Sequence, residues 1–166
     1  GMKTLALTDA GNMYGAIDFY KECQKQGVKP IIGVDFYVAV RTRHDKEPRI
    51  DNKRSRLVML AKNDAGYKNL IKLTTISSIE GFYYKPRIDK ELLEKYKDNL
   101  IVIDSAFSGS LSTALQGNDI PKACEIATYY KNLFGADYYL EITHHPDIDL
   151  CFWVFGQVHQ LIPTLE

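Results

Sequence analysis

The side chains able to do chemistry are thinly spread along this sequence, and they fall at the ends of short apolar runs. Asp9 follows Leu5-Ala6-Leu7-Thr8 and opens a polar, glycine-bearing turn that reaches Asn12. Asp104 follows Leu100-Ile101-Val102-Ile103, and Glu141 lies in Tyr138–Ile142, just ahead of His144-His145-Pro146. Carboxylates beside imidazoles form a donor set for a divalent cation. Adjacent residues of an extended chain point in opposite directions, so at most one of His144 and His145 faces any one site.

Two further groups each carry two readings. Ser105, Ser108 and Ser110 around Gly109 read either as a nucleophile-bearing turn or as a helix N-cap. Without Gly-x-Ser-x-Gly spacing, the cap is the preferred reading. Phe82, Tyr83 and Tyr84 with Lys85 and Arg87 read either as a platform for stacking bases or as a packing surface. In a chain with 11 tyrosines, packing is preferred.

The elements that must position these groups alternate between strand-like and helix-like periods, the mark of α/β architecture. Strands are predicted over Thr4–Leu7, Ile31–Val40, Arg56–Ala61, Leu100–Ile103 and Tyr138–Ile142. Helices are predicted over Ala16–Gln26, Ala65–Ser78, Lys90–Tyr96, Ser108–Gln116 and Ile120–Phe134. Asp64 and Asp119 stand at N-cap positions, Pro121 falls in a first turn, and Gly27 and Gly135 stand at helix stops. Cys23 and Cys124 fall on helical stretches and read as small core residues.

One connection is dense in charge. Residues 41 to 56 hold seven basic residues against three acidic ones, and read as an exposed, solvated loop in preference to a phosphate contact. Across all 166 residues, 21 basic and 21 acidic side chains cancel, which argues against strong non-specific binding to nucleic acid. Three widely spaced cysteines form no zinc-binding pattern, so a reduced, cytoplasmic protein is expected. The apolar stretch from Leu150 to Leu165 is shorter than the roughly 20 residues needed to cross a bilayer, and no membrane segment is expected.

Four stretches are long enough to be specific: Met13-Tyr14-Gly15-Ala16-Ile17-Asp18-Phe19-Tyr20, Gly27-Val28-Lys29-Pro30-Ile31-Ile32-Gly33, Leu60-Ala61-Lys62-Asn63-Asp64-Ala65-Gly66-Tyr67-Lys68-Asn69-Leu70 and Gly81-Phe82-Tyr83-Tyr84-Lys85-Pro86-Arg87-Ile88-Asp89. With the turn Thr8 to Asn12, they resemble the polymerase and histidinol phosphatase (PHP) domain of bacterial replicative DNA polymerase III alpha subunits. The resemblance fades after Ile148, which divides the chain into a PHP unit over 1–149 and a divergent apolar tail over 150–166. The implied fold is α/β, an incomplete distorted (βα)7 barrel lacking its first and last strand units.

In the family, metals sit at the strand ends and activate water for attack on phosphoesters. This sequence departs from the pattern. The turn histidine is Ala10, the glutamate after Ile-Gly-Val is Asp35, and the histidine before Leu57-Val58 is Arg56, a permanent cation that opposes a metal. The cysteine expected after Ser105-Ala106 is Phe107. The residues left for a divalent ion, zinc, manganese or magnesium, are Asp9, Asp35, Glu141 and His144, with Asp104 and His145 beside them.

The resemblance therefore implies a PHP piece of a polymerase alpha subunit with a degenerate metal site and a structural role. The parent family is a DNA-directed nucleotidyltransferase, and this piece is expected to be inactive alone. Its implied partners are the remaining alpha subunit and the replicative holoenzyme, with weak or no direct DNA binding. Self-association through the apolar tail is a further expectation. The alternative is a metal-dependent PHP phosphoesterase or 3′–5′ exonuclease.

Overall fold

The computed structural model describes residues 1–142, so His144, His145 and the apolar tail from Leu150 lie outside the described residues. Strands and helices alternate as the periodicity predicts. The order is β1 (Thr4–Ala10), α1 (Ala16–Lys25), β2 (Lys29–Ala39), β3 (Arg54–Ala61), α2 (Asp64–Ile79), β4 (Arg87–Ile88), α3 (Lys90–Tyr96), β5 (Leu100–Asp104), α4 (Ser110–Gln116), α5 (Ile120–Phe134) and β6 (Tyr138–Leu140). The two-residue β4 escaped sequence reading because it is too short to show a period.

All of these strands join one mixed sheet, in the order β1-β2-β3-β5-β6 with β4 also on β2. β1 and β4 run parallel to β2, β3 runs antiparallel to both β2 and β5, and β6 runs parallel to β5. β3 occupies one side of β2 over Gly33–Ala39, so β1 and β4 must lie end to end along the other.

The register divides the side chains between two faces, because paired residues point the same way and neighbours alternate. One face carries Val34, Phe36, Leu57, Met59, Leu100 and Val102, all at most 1% exposed. Against it pack Leu70 and Leu73 of α2, Leu92 and Leu93 of α3, and Tyr130 and Phe134 of α5. Each fully buried leucine contributes roughly 1.5–3 kcal/mol relative to exposure. Leu111, Leu115, Ala123 and Ala127 join α4 to α5 in a smaller cluster. The opposite face carries Asp35, Tyr37, Arg56, Val58 and Ile103, half-buried and without a helix layer among the described residues.

Several caps follow the sequence reading and two correct it. Asp119 Oδ1 accepts from the Lys122 amide, and Gly135 ends α5 with φ at 57°. At α2 the cap is Asn63 rather than Asp64: its Oδ1 accepts from the Gly66 amide, and Asp64 is the first helical residue. At α4 the cap is Gly109, not a serine. Ser112 instead donates back to the carbonyls of Ser105 and Gly109.

The connection between β2 and β3 also departs from expectation. It is not merely solvated: Asp51 is fully buried and Arg43 is 8% exposed. Arg41 makes a bidentate pair with Asp51, which holds that carboxyl below its ordinary pKa. Arg43 reaches Asp89 Oδ2 at 3.1 Å, Glu80 at 2.7 Å and Glu91 at 2.9 Å. Arg87 lies against this loop, fully buried, with its guanidinium 5.2 Å from the Tyr83 ring centre, in keeping with packing rather than a base-stacking platform. No helix of the described residues is long and apolar enough to cross a membrane.

Candidate functional site

β1 and β5 carry Asp9 and Asp104 at their carboxyl ends, Asp35 lies within β2 opposite Ala10, the last residue of β1, and Arg56 is the third residue of β3. The carboxyl ends of strands are where α/β sheets place ligands. Each carboxylate there already has a protein partner or a buried setting.

Asp9 Oδ2 accepts from the Gly15 amide at 3.0 Å and so closes the turn into α1, whose N-cap supplies no side chain of its own. Asn12 closes the same turn from within: its Nδ2 donates to the Ala10 carbonyl, and its Oδ1 accepts from the Tyr14 amide. The turn from Thr8 to Asn12 is thus held by its polar residues as a backbone device.

Asp35 meets Arg56 in a bidentate pair. Arg56 Nε donates to Oδ1 at 3.0 Å, and Nη2 donates to Oδ2. These bonds hold the Arg56 guanidinium above its ordinary pKa. The guanidinium also lies 5.3 Å from the centre of the Tyr37 ring, its partner across the β2–β3 ladder. A paired, stacked guanidinium cannot be displaced by a cation without leaving a charge unpaired.

Asp104 is 2% exposed, and burial pushes its carboxyl up to about 7. The Tyr138 hydroxyl, donating to Oδ2 at 3.1 Å, and the Leu111 amide draw it back down. Oδ1 has no partner in full hydrogen-bond geometry and lies against Gly109, where a Cβ would approach it to 1.8 Å. The same packing raises Tyr130 to about 12, through burial first and the Asp104 charge second.

Glu141 lies just past β6, one residue beyond the strand's end at Leu140, rather than within it as the sequence reading had it. It is exposed, and its Oε2 accepts from the Ala106 amide at 3.0 Å.

The register keeps these carboxylates apart. Asp9 pairs with Val34, and Asp104 with Leu57, so both point toward the helix layer. Asp35 pairs with Val58 and points to the other face. Among the described residues, no group of three or more His, Cys, Asp or Glu side chains is placed to hold a metal ion. A metal does not fit the described donor set, because Asp35 is spent on a permanent cation and Asp9 faces away from it.

The sequence reading missed Tyr37 and Arg54. The signal was present: Arg54-x-Arg56 at the start of a strand puts both guanidiniums on one face. A cleft of about 690 Å³ also opens between α1 and α2, lined by Ile17, Tyr20, Pro30, Tyr67 and Ile101. It uses the first residues of β2 and β5, so it lies at the opposite end of the sheet from these carboxylates.

A family model described as the PHP domain matches residues 1–145. DNA polymerase III subunit alpha of Borreliella burgdorferi is 47% identical over 145 residues, covering 87% of this chain and 13% of that protein. The Chlamydia pneumoniae subunit is 45% identical over 149 residues, covering 87% and 12%. A Helicobacter pylori subunit is 37% identical over 162 residues, covering 92% and 13%. The chain thus spans 12–13% of the length of these relatives.

Proposed function

This chain belongs to the PHP domain family, and from that premise we propose that it is the PHP unit of a replicative polymerase alpha subunit with a structural role and no metal-dependent turnover of its own. The observation that carries this reading is the Asp35–Arg56 pair. A ligand-type carboxylate is neutralised by a guanidinium, a cation that stays protonated at any working pH. Asp9, Glu141 and His144 remain the other members of the proposed degenerate site. Asp9 serves the α1 turn and Glu141 the Ala106 amide, which supports a structural use of both.

The same reading extends to architecture and partners. The mixed sheet is an incomplete, distorted (βα)7 barrel whose first and last strand units lie outside this sequence. Its partners are the remainder of the alpha subunit and, through it, the holoenzyme in the cytoplasm. Residues 1–149 form the PHP unit, and the apolar tail from Leu150 is a separate association segment.

The test is an assay of the purified 166-residue chain with Mn²⁺, Zn²⁺ and Fe²⁺ on single-stranded DNA and on a chromogenic phosphate ester. No turnover above background is expected. Metal-dependent turnover abolished by Asp35→Ala would overturn the structural reading in favour of a PHP phosphoesterase or exonuclease.

A further inference from the structure

Strand β1 pairs with β2 along one side, and no described strand lies along its other side. Its seven residues make it a long edge, whereas β6, at the opposite end of the sheet, has three. The Lys3 carbonyl accepts from the Lys29 amide and the Gly11 amide donates to the Asp35 carbonyl, both at 2.9 Å. Successive residues of a strand turn their backbone groups to alternate sides, so residues 3, 5, 7, 9 and 11 bond to β2. The N–H and C=O groups of Thr4, Ala6 and Thr8 therefore point out of the edge, where no described strand takes them.

Proteins blunt such edges with proline, a bulge or a very short strand. β1 has no proline, and its pairing with β2 runs unbroken from Thr4 to Ala10. Thr4, Leu5 and Ala6 are exposed, Leu5 by 42%. The edge is open and regular enough to take another strand.

Its sequence is complementary to itself. Set antiparallel to a second copy about a two-fold axis at Ala6, the strand places Lys3 opposite Asp9 and Leu5 opposite Leu7. Thr4 then faces Thr8, and Ala6 faces itself. The outward residues Thr4, Ala6 and Thr8 fall in hydrogen-bonded pairs, as an antiparallel ladder requires. The closer, non-bonded pairs hold the opposite charges and the two leucines, each occurring twice by symmetry. Asp9 holds the Gly15 amide through Oδ2, which leaves Oδ1 for Lys3 of the second copy. An axis at Leu5 would set Lys3 against Leu7, and one at Leu7 would set Leu5 against Asp9. Charge complementarity therefore selects the axis at Ala6.

We propose that β1 is a homodimerisation edge, through which two copies of this chain join by antiparallel β1 strands about a two-fold axis at Ala6. The interface is isologous, so one pairing uses the open edge of both copies and closes the assembly at two. About six backbone hydrogen bonds form across it. A contact of this small size makes a weak, concentration-dependent dimer. The inference goes beyond the structural role above and depends neither on it nor on association through the apolar tail.

The test is analytical ultracentrifugation of the full 166-residue chain over a concentration series, where a monomer–dimer equilibrium is expected. Ala6→Pro removes the N–H at the axis without costing a bond to β2. It is expected to weaken the dimer at least about tenfold, because symmetry counts each lost bond twice. Lys3→Glu sets like charges opposite each other twice, and is expected to weaken it about fivefold at low salt and less at high salt. Lys68→Gln, on the exposed surface of α2, is expected to leave it unchanged. Facing Cα atoms of a bonded pair lie about 5.5 Å apart, within disulfide reach. Ala6→Cys under a copper oxidant is therefore expected to give a disulfide joining two copies at position 6, located by mass spectrometry. Because Lys3 is exposed, its variant keeps the test open if Ala6→Pro folds poorly. A monomer at every concentration, or a dimer of wild-type strength in both Ala6→Pro and Lys3→Glu, would overturn the proposal. A dimer lost in Trp153→Asp and kept in Ala6→Pro would assign association to the apolar tail and overturn it equally. Metal-dependent turnover would overturn the structural role instead, and leaves this measurement untouched.

Discussion

Arg87→Ala is expected to destabilise the chain by about 3–5 kcal/mol, the sum of several buried carbonyls losing a charged donor at about 1–3 kcal/mol each. Arg87 is fully buried, and its guanidinium serves four backbone carbonyls: Gly81, Asp51 and Arg43 at 3.0 Å and Asp45 at 2.9 Å. Its other side lies 5.2 Å from the Tyr83 ring centre. Truncation would leave the Asp51, Arg43 and Asp45 carbonyls without this donor, each at about 1–3 kcal/mol if they stayed buried, while Gly81 keeps the Arg87 backbone amide at 3.3 Å. The β2–β3 connection would therefore loosen before the sheet does. Arg87→Lys is expected to recover only part of the loss, since one ammonium cannot reproduce a planar fork that reaches four acceptors.

Urea denaturation followed by circular dichroism gives the stability change, and trypsin digestion locates it. Cleavage at Lys46, Arg49 or Lys53 is expected to rise in the variant before cleavage elsewhere. Against a typical stability of about 5–15 kcal/mol, a change below about 1 kcal/mol would refute the role assigned to Arg87.

Asp104→Asn is expected to stabilise the chain at pH 8 and to have little effect near pH 4. Burial raises the folded-state pKa of Asp104 to about 7, above its ordinary value of 3.8. Between those values the folded state binds more protons than the unfolded one, so stability falls as pH rises. The contribution of Asp104 is thus most favourable below its unfolded pKa and is lost as pH climbs through 7. Three pKa units correspond to about 4 kcal/mol, an upper bound for the gain on removing the charge.

Asp51 and Asp45, both held below their ordinary pKa, act in the opposite direction at acid pH. The difference between wild type and Asp104→Asn isolates the single group from these. The measurement is unfolding free energy against pH for both chains. Parallel curves from pH 4 to pH 8 would show that Asp104 does not titrate as its burial requires.

The legible part of this protein is local. Strand and helix periods, the Asp119 cap and the Gly135 stop depend on residues within about four positions of one another, and each was found at or near its predicted place. The family was legible for a similar reason, because four contiguous stretches carry it. The corrections are instructive where they are small. Asn63 rather than Asp64 caps α2, since a one-residue shift decides which side chain reaches the third amide.

The site was half legible. Sequence alone determined that Ala10, Arg56 and Phe107 stand where the resemblance implies metal ligands, and that a guanidinium had entered the strand ends. Only the tertiary structure decided what Arg56 does there, because its bond to Asp35 spans 21 residues and depends on the β2–β3 register. The same register sends Asp9 and Asp35 to opposite faces, a consequence of period-two alternation counted from a pairing the sequence does not state. Arg43 read as a solvated loop charge and Arg87 as part of an aromatic packing group, because arginine is ordinarily exposed and neither set of partners lies nearby in sequence. Their burial follows from carbonyls and carboxylates that the fold brings in from up to 48 residues away.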